Sequence, residues 1–249
     1  MAHGDANAFI RRLLVEAGVG PGMRVLDVGC GTGVVTGIVA ELVGPQGEVV
    51  GVDREPRALA KARTEAARLG LSNVTYVEQD LSEPLPRAAL YDVAVTRRVI
   101  MYLPDPALVL RAVARALKPG GIAVFNEMDS SITPASTNPM PLHDRVNGWI
   151  WATVAAEGAN VRMGFELPAL LDACGLQVQH VQAEAEVDGY PSTMATIVRA
   201  ILPRILEHTS ATEAEVAIDT LEERLVAERE QTGSVYVRNL SFGICARTV

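Results

Sequence analysis

No run of 18 apolar residues occurs anywhere in this sequence, so no stretch reads as a membrane-spanning helix. The first residues, Met1 to Phe9, lack the basic-then-apolar pattern of a secretory leader. Cysteine is scarce: Cys30, Cys174 and Cys245 are scattered, odd in number and without metal-ligand spacing. That excludes a disulfide framework and reads as reduced thiols in a cytoplasmic protein. His3, His180 and His208 form no ligand pair. Positive charge is also short. Against 30 Asp and Glu stand 22 Lys and Arg, a net charge of −8, which argues against a nucleic-acid partner because phosphate binding needs clustered cations. Internal repeats and long low-complexity tracts are missing as well. What remains, at 249 residues with 49% hydrophobic and 21% charged content, is an ordinary globule of one sizeable domain, or one domain with an elaborated cap.

The stretch that organises the chain is Arg24-Val25-Leu26-Asp27-Val28-Gly29-Cys30-Gly31-Thr32-Gly33. Val25, Leu26 and Val28 make a short apolar run of the kind found in a buried parallel strand. Gly29, Gly31 and Gly33 follow at every second position, and Val34 to Val43 reads as a helix. Strand, glycine turn and helix N-terminus together bring bare backbone, including the Cys30 amide, close to a ligand. A dinucleotide fingerprint needs a glycine at position six, where this chain has Val34 or Thr36. A Walker loop needs a Gly-Lys-Ser/Thr ending, and no lysine precedes Lys61. The acid before the glycines, Asp27, repels a pyrophosphate but pairs with an ammonium group. The implied ligand is zwitterionic or cationic; the plainer alternative is a turn that serves only strand-to-helix packing.

The rest of the chain repeats the strand-helix unit. Residues 5 to 18 read as an amphipathic helix ended by Gly18, Gly20, Pro21 and Gly22. Glu48 to Asp53 is a second strand ending in an acid. The Asp53 carboxylate can accept both hydroxyls of a ribose, or it can serve as N-cap of the helix that begins at Glu55-Pro56. Arg54 either contacts the same ligand or is a solvated surface charge. Val74 to Glu78 is a third strand, leading to Asp80 and Leu81, and Tyr91 to Thr96 is a fourth, leading to Arg97 and Tyr102. Helix 105 to 117 ends in Leu117-Lys118-Pro119-Gly120-Gly121, a turn before strand five, Ile122 to Met128. Residues 129 to 165 break the pattern with a Ser/Thr/Asn/Pro loop and a helix from Pro139 to about Gly158 that holds both tryptophans, Trp149 and Trp151. Gln177 to Val187 is strand six, with Tyr190-Pro191 as the turn after it. Helices occupy about 192 to 208, and a capping box at Ser210 to Glu213 starts a helix to about Glu230. Tyr236 to Val249 is the last strand. Such a series specifies a doubly wound parallel sheet, whose crevice lies beyond the carboxyl ends of strands one and four.

The Leu26-Asp27-Val28-Gly29-Cys30-Gly31-Thr32-Gly33 motif and the Leu117-to-Gly121 turn resemble those of class I S-adenosylmethionine (SAM)-dependent methyltransferases. The block Gly164 to Leu176 resembles small-molecule members of the ubiquinone/menaquinone-biosynthesis type. The resemblance covers about residues 20 to 190. It implies one α/β domain over 1–249: a Rossmann-like sheet of seven strands with the last antiparallel, and a helical lid over the carboxyl ends of the strands. Residues 20–128 form the SAM-binding core, and 129–165 and 190–232 the substrate cap. It implies that Asp80 receives the adenine amino group while the next amide, at Leu81, donates to a ring nitrogen. It places Thr96 and Arg97 near the sulfonium and methionyl carboxylate, and Tyr102, Asp129 and Trp149 at the acceptor pocket. For Asp80, Arg97, Tyr102 and Trp149, turn formation, core packing or surface charge are the alternatives.

The expected reaction is in-line methyl displacement onto O, N or C of a small molecule, with S-adenosylhomocysteine (SAH) as product. Where DNA and protein-amide N-methyltransferases carry Asn/Asp-Pro-Pro-aromatic, this chain has Thr-Arg-Arg-Val, which counts against a nucleobase amine or glutamine. His143 is a candidate base, with a satisfied or solvated histidine as the alternative, and Glu127 and Asp129 are others. No metal is expected: Asn126 and Asp129 lie near the end of strand five, but the further acid of a magnesium-dependent catechol methyltransferase is not at its usual place. A homodimer is compatible with this reading. The competing functions are a SAM-binding protein of the same fold without methyl transfer and a nicotinamide-dependent oxidoreductase.

Overall fold

A computed structural model describes residues 7–86, 90–189 and 191–249. His3 and Tyr190, and the first two residues of the expected N-terminal helix, lie outside the described residues. The chain divides into two compact units. The first comprises Met1–Glu127, Phe165–Gln182 and Phe242–Val249; the second comprises Met128–Gly164 and Ala183–Ser241.

The first unit is built on β1 (Arg24–Val28), β2 (Glu48–Asp53), β3 (Val74–Glu78), β4 (Tyr91–Arg97) and β5 (Leu117–Asp129). Val25, Val28, Val49, Val52, Val93 and Val95 are each fully buried, because β-branched side chains fill both faces of a covered parallel sheet. The strand order is β3-β2-β1-β4-β5, followed by β8 (Tyr236–Thr248), with β7 (Leu176–Val187) paired to β8. The first five strands pair in parallel. Strand order therefore reverses between β1 and β4, which opens a crevice beyond their carboxyl ends.

Helices α1 (Ala8–Glu16), α2 (Val34–Val43), α3 (Pro56–Arg68), α4 (Pro106–Ala116) and α6 (Met163–Ala173) accompany these strands. Ile10, Leu13 and Leu14 of α1 join Val39 and Val43 of α2 in one apolar cluster with β1, β2 and β4. Each such buried side chain contributes about 1.5–3 kcal/mol. Two start signals are explicit. Glu55 accepts the Arg57 N–H at 3.0 Å before α3, and Asp105 accepts the Leu108 N–H at 3.1 Å before α4. Both helices carry proline at the first turn.

The second unit holds β6 (Ala135–Ser136), α5 (Pro141–Ala156), α7 (Thr193–His208), α8 (Glu213–Val216) and α9 (Leu221–Thr232). Its core gathers Met140, Val146, Trp149, Met194, Val198, Leu225 and Tyr236. Here β8 pairs antiparallel with β6.

Three local expectations are corrected. The two-residue β6 raises the strand count from seven to eight among the described residues. Strand five begins at Leu117, not Ile122: Tyr91 pairs with Leu117 and Val93 with Ile122, so Lys118 to Gly121 bulge out between successive pairs. Gly120 supplies the left-handed turn that this requires, at φ +70°. The helix foreseen up to Glu230 is two helices. The capping box lies two residues later than expected, at Thr212 and Glu215 rather than Ser210 and Glu213, and Ala217 at φ +41° ends α8 after four residues.

Candidate active site

The glycine turn after β1 opens on a cavity of about 770 Å³ that lies wholly in the first unit. Asp27, Gly29, Cys30 and Gly31 line one side, with Asp53 and Arg54 from the end of β2. Asp80 and Leu81 follow β3, while Arg97 ends β4 and Arg98, Val99, Tyr102 and Leu103 follow it. The volume falls in the usual range for small-molecule sites, about 300–1,000 Å³.

Each acid has a distinct local job. Asp27 is 1% exposed and accepts the Thr36 hydroxyl at 2.6 Å. Burial pushes its carboxyl up to about 7, the Thr36 bond opposes this, and nearby Asp53 adds to it. Asp53 accepts the Gly31 N–H at 2.7 Å on one oxygen and the Glu55 N–H at 2.9 Å on the other. The N-cap of α3 is Glu55, so Asp53 is released from that duty and still has a lone pair on each oxygen. Asp80 accepts the Ser82 N–H at 2.8 Å, which holds its carboxyl below the usual range and makes it a turn former that also lines the cavity.

The glycines divide by role. A Cβ on Gly29 would stand 2.5 Å from Val99, so that wall closes on bare backbone. A Cβ on Gly31 would meet nothing within 4 Å, and here the turn faces open space. Gly33 departs from its expected ligand role. It is not in the cavity wall, and a Cβ there would strike the Tyr76 hydroxyl at 2.5 Å, so its glycine serves packing. No side chain caps the N-terminus of α2, whose Val34 and Val35 face the cavity. An anionic group is favoured there by the helix dipole. A buried acid, a second acid with spare acceptor capacity and an uncapped helix N-terminus thus stand around one turn.

Several other expected site residues stand elsewhere. Thr96 is 1% exposed, inside the sheet rather than in the cavity wall. Glu127, a candidate base, is wholly buried; one oxygen accepts the Val99 and Ile100 N–H groups, both at 2.9 Å. His143, the other candidate, is 0% exposed in the second unit. Its Nδ1 lies 2.7 Å from Glu228, and Nε2 lies 3.6 Å from Asp188. The ring is thus enclosed, facing two carboxylates, within the second unit. Asp129 is buried and accepts both the backbone N–H and the hydroxyl of Ser131. Trp149 packs in the apolar core of the second unit. Asn126 donates to the Phe242 carbonyl at 3.0 Å.

Sequence reading missed Arg98, Val99, Leu103 and Leu108 as wall residues. The valine and leucines read as ordinary core apolar positions, and no residue-type signal marks Arg98, which stands at φ +57°. Among the described residues, no group of three or more His, Cys, Asp or Glu could hold a metal ion, and no helix is long and apolar enough to cross a membrane.

The comparisons with known proteins converge on one family. The methyltransferase domain matches residues 20–184. Aklanonic acid methyltransferase of Streptomyces sp. (strain C5) is 36% identical over 129 residues, covering 52% of this chain and 57% of that protein. Ubiquinone biosynthesis O-methyltransferase of Vibrio vulnificus is 35% identical over 113 residues, covering 45% of this chain and 46% of that one. The chain spans about half the length of the curated relatives it matches. In structure, a SAM-dependent methyltransferase from Aquifex aeolicus superposes with a TM-score of 0.60 at 18% identity, over 98% of this chain and 94% of that one, a likeness of fold. With two thirds of its residues in the matched domain, this chain belongs to the methyltransferase domain family.

Proposed function

We propose that this chain binds SAM in the cavity of the first unit and passes its methyl group to a small-molecule acceptor. The single observation that carries the reading is the pair of strand-end acids, Asp27 and Asp53, flanking a bare glycine turn that opens on that cavity. In this reading Asp53 accepts the ribose hydroxyls through its remaining lone pairs. Asp80 and the Leu81 amide meet the adenine edge, Asp27 pairs with the ammonium group, and Arg97 and the α2 N-terminus meet the carboxylate. When bound, SAM supplies a methyl already activated by its sulfonium charge. The chain's task is to exclude water and hold the acceptor nucleophile about 3 Å from that methyl, in line with the departing sulfur.

Val34, Tyr102 and Leu108 expose large apolar surface in the cavity wall, which supports an acceptor with an apolar body. Two relatives carry methyltransferase names tied to aklanonic acid and ubiquinone, small organic molecules, and we extend the acceptor class and an oxygen acceptor atom to this chain. Acceptor choice is assigned to 129–165 and 190–232, outside the shared motifs. The burial of His143 and Glu127 supports a transfer that uses neither as base, in which the acceptor's own acidity sets the nucleophile. The net charge of −8 supports a free metabolite over a nucleic acid, and we place the activity in the cytoplasm.

Thermal unfolding with and without ligands tests this. Saturating SAM or SAH at about 100 times Kd adds about 2.7 kcal/mol of stability and raises Tm, whereas NADH leaves it unchanged. No shift with either sulfur nucleoside sinks the assignment.

A further inference from the structure

The chain after β4 has an unusual path. Arg97 ends the strand, Arg98 takes a left-handed φ of +57°, and a short 3₁₀ turn follows at Ile100–Tyr102. A bulky residue pays for that conformation in steric strain, and the first amides of the turn have no partner within it. Both problems are met by the carboxyl end of β5 in the first unit. The Asn126 carbonyl accepts the Arg98 N–H at 2.8 Å, and one Glu127 oxygen accepts the next two amides, Val99 and Ile100. Three successive N–H groups are thereby clamped by two successive residues.

The clamped segment is also the cavity wall that faces the glycine turn: Arg98, Val99 and Tyr102 line the cavity, and Val99 is the residue that leaves no room for a Cβ on Gly29. Glu127 itself does not line the cavity. It is wholly buried, and the next amide, Met101, also favours its ionised form. A carboxyl group so placed is costly unless the amides it gathers matter.

We propose that Glu127 is a positioning residue: by gathering the Val99 and Ile100 amides it holds the wall after β4 against the glycine turn and sets the shape of the cofactor cavity. This rests on the SAM reading above, but assigns Glu127 no contact with the cofactor and no proton transfer. The acceptor atom is what matters, so an amide in place of the carboxylate still serves, whereas removal or shortening of the side chain lets the wall move.

The test combines calorimetric titration of SAH with hydrogen exchange of individual amides in wild type, Glu127→Ala and Glu127→Gln. Expected for Glu127→Ala is an affinity at least about tenfold weaker, with faster exchange at Val99 and Ile100 but not at Val93 or Val95 in the sheet. Glu127→Gln stays within about threefold of wild type and keeps the protection, a rescue that loss of buried volume alone does not explain. Should Glu127→Ala not fold, Glu127→Asp, one methylene short, carries the same expectation. The proposal is overturned by unchanged SAH affinity in the truncated variant, by protected Val99 and Ile100 amides alongside lost affinity, or by a glutamine variant no better than alanine. A wild type that takes up neither SAM nor SAH overturns the cofactor reading, and this proposal with it.

Discussion

Asp27 and Asp53 stand side by side at the ends of neighbouring strands, yet their surroundings differ. Asp53 is half-buried, and its two backbone donors leave capacity for a diol. Asp53→Ala should weaken SAH binding by about 1–3 kcal/mol through lost hydrogen bonds, as read by calorimetry; equal affinity removes Asp53 from the site. Asp27 is enclosed, and burial lifts its carboxyl to about 7. An ammonium partner favours the ionised form, so binding should release a proton near neutrality. SAH affinity should then fall as pH drops below about 7, by up to about tenfold per unit. Asp27→Asn should bind more weakly and flatten that profile. A wild-type profile level from pH 5.5 to 8 contradicts an ammonium partner at Asp27.

Among the elements of the second unit, α5, α7 and α9 are tied by one buried imidazole. Glu228 of α9 accepts the Leu142 and His143 N–H groups at the start of α5 as well as facing the His143 ring. Asp188 accepts the Ser192 hydroxyl and the Met194 N–H at the start of α7. Tyr236 packs tilted against the ring, centroids 4.9 Å apart, and donates to Asp144. Burial alone lowers the imidazole pKa, but Asp188 and Glu228 together raise it above its ordinary value of 6.5. A raised histidine stabilises the fold fully below 6.5, and that contribution is lost as pH rises through the folded value. His143→Gln should therefore unfold at lower urea than wild type at pH 6, with the gap closing towards alkaline pH. A gap that widens instead means the ring is held neutral.

At the scale of the whole molecule the buried acids of the first unit act in the same direction. Asp27 and Glu127 both have carboxyls pushed up to about 7 by burial, well above their ordinary values of 3.8 and 4.5. Their neutral forms favour the fold, so their contribution is complete below about 4 and is lost as pH rises through about 7. The carboxylates held below their usual range, such as Asp92 beside Lys118 and Glu157 beside Arg204, lose their contribution only at lower pH. Between pH 5.5 and 8 the raised groups dominate. The ligand-free protein should melt at a higher temperature at pH 6 than at pH 8, and SAH should add more to Tm at pH 8, where Asp27 is ionised. Scanning calorimetry at the two pH values checks both; a ligand-free Tm that rises with pH refutes the first.

Periodicity and punctuation were enough to place the sheet, because a parallel strand and the glycine turn after it are local. Apolar runs, an acid at the strand end and glycines at alternate positions act within ten residues of one another, so Asp27, Gly29 and Asp53 were legible from local pattern, whereas Asp80 came only from the family resemblance. A capping box ahead of α8 was legible in kind but stands two residues later, at Thr212 and Glu215, and the turn at Ala217 was not legible, since no glycine or proline announces it. Tertiary structure alone decided the fate of His143 and Glu127. Their partners lie 85 and 28 residues away in the chain, and the donors that claim Glu127 are backbone amides, which leave no trace in residue type. A titratable side chain near a strand end reads the same from sequence whether solvent or carboxylates surround it. Burial separates the two, and burial belongs to the folded chain.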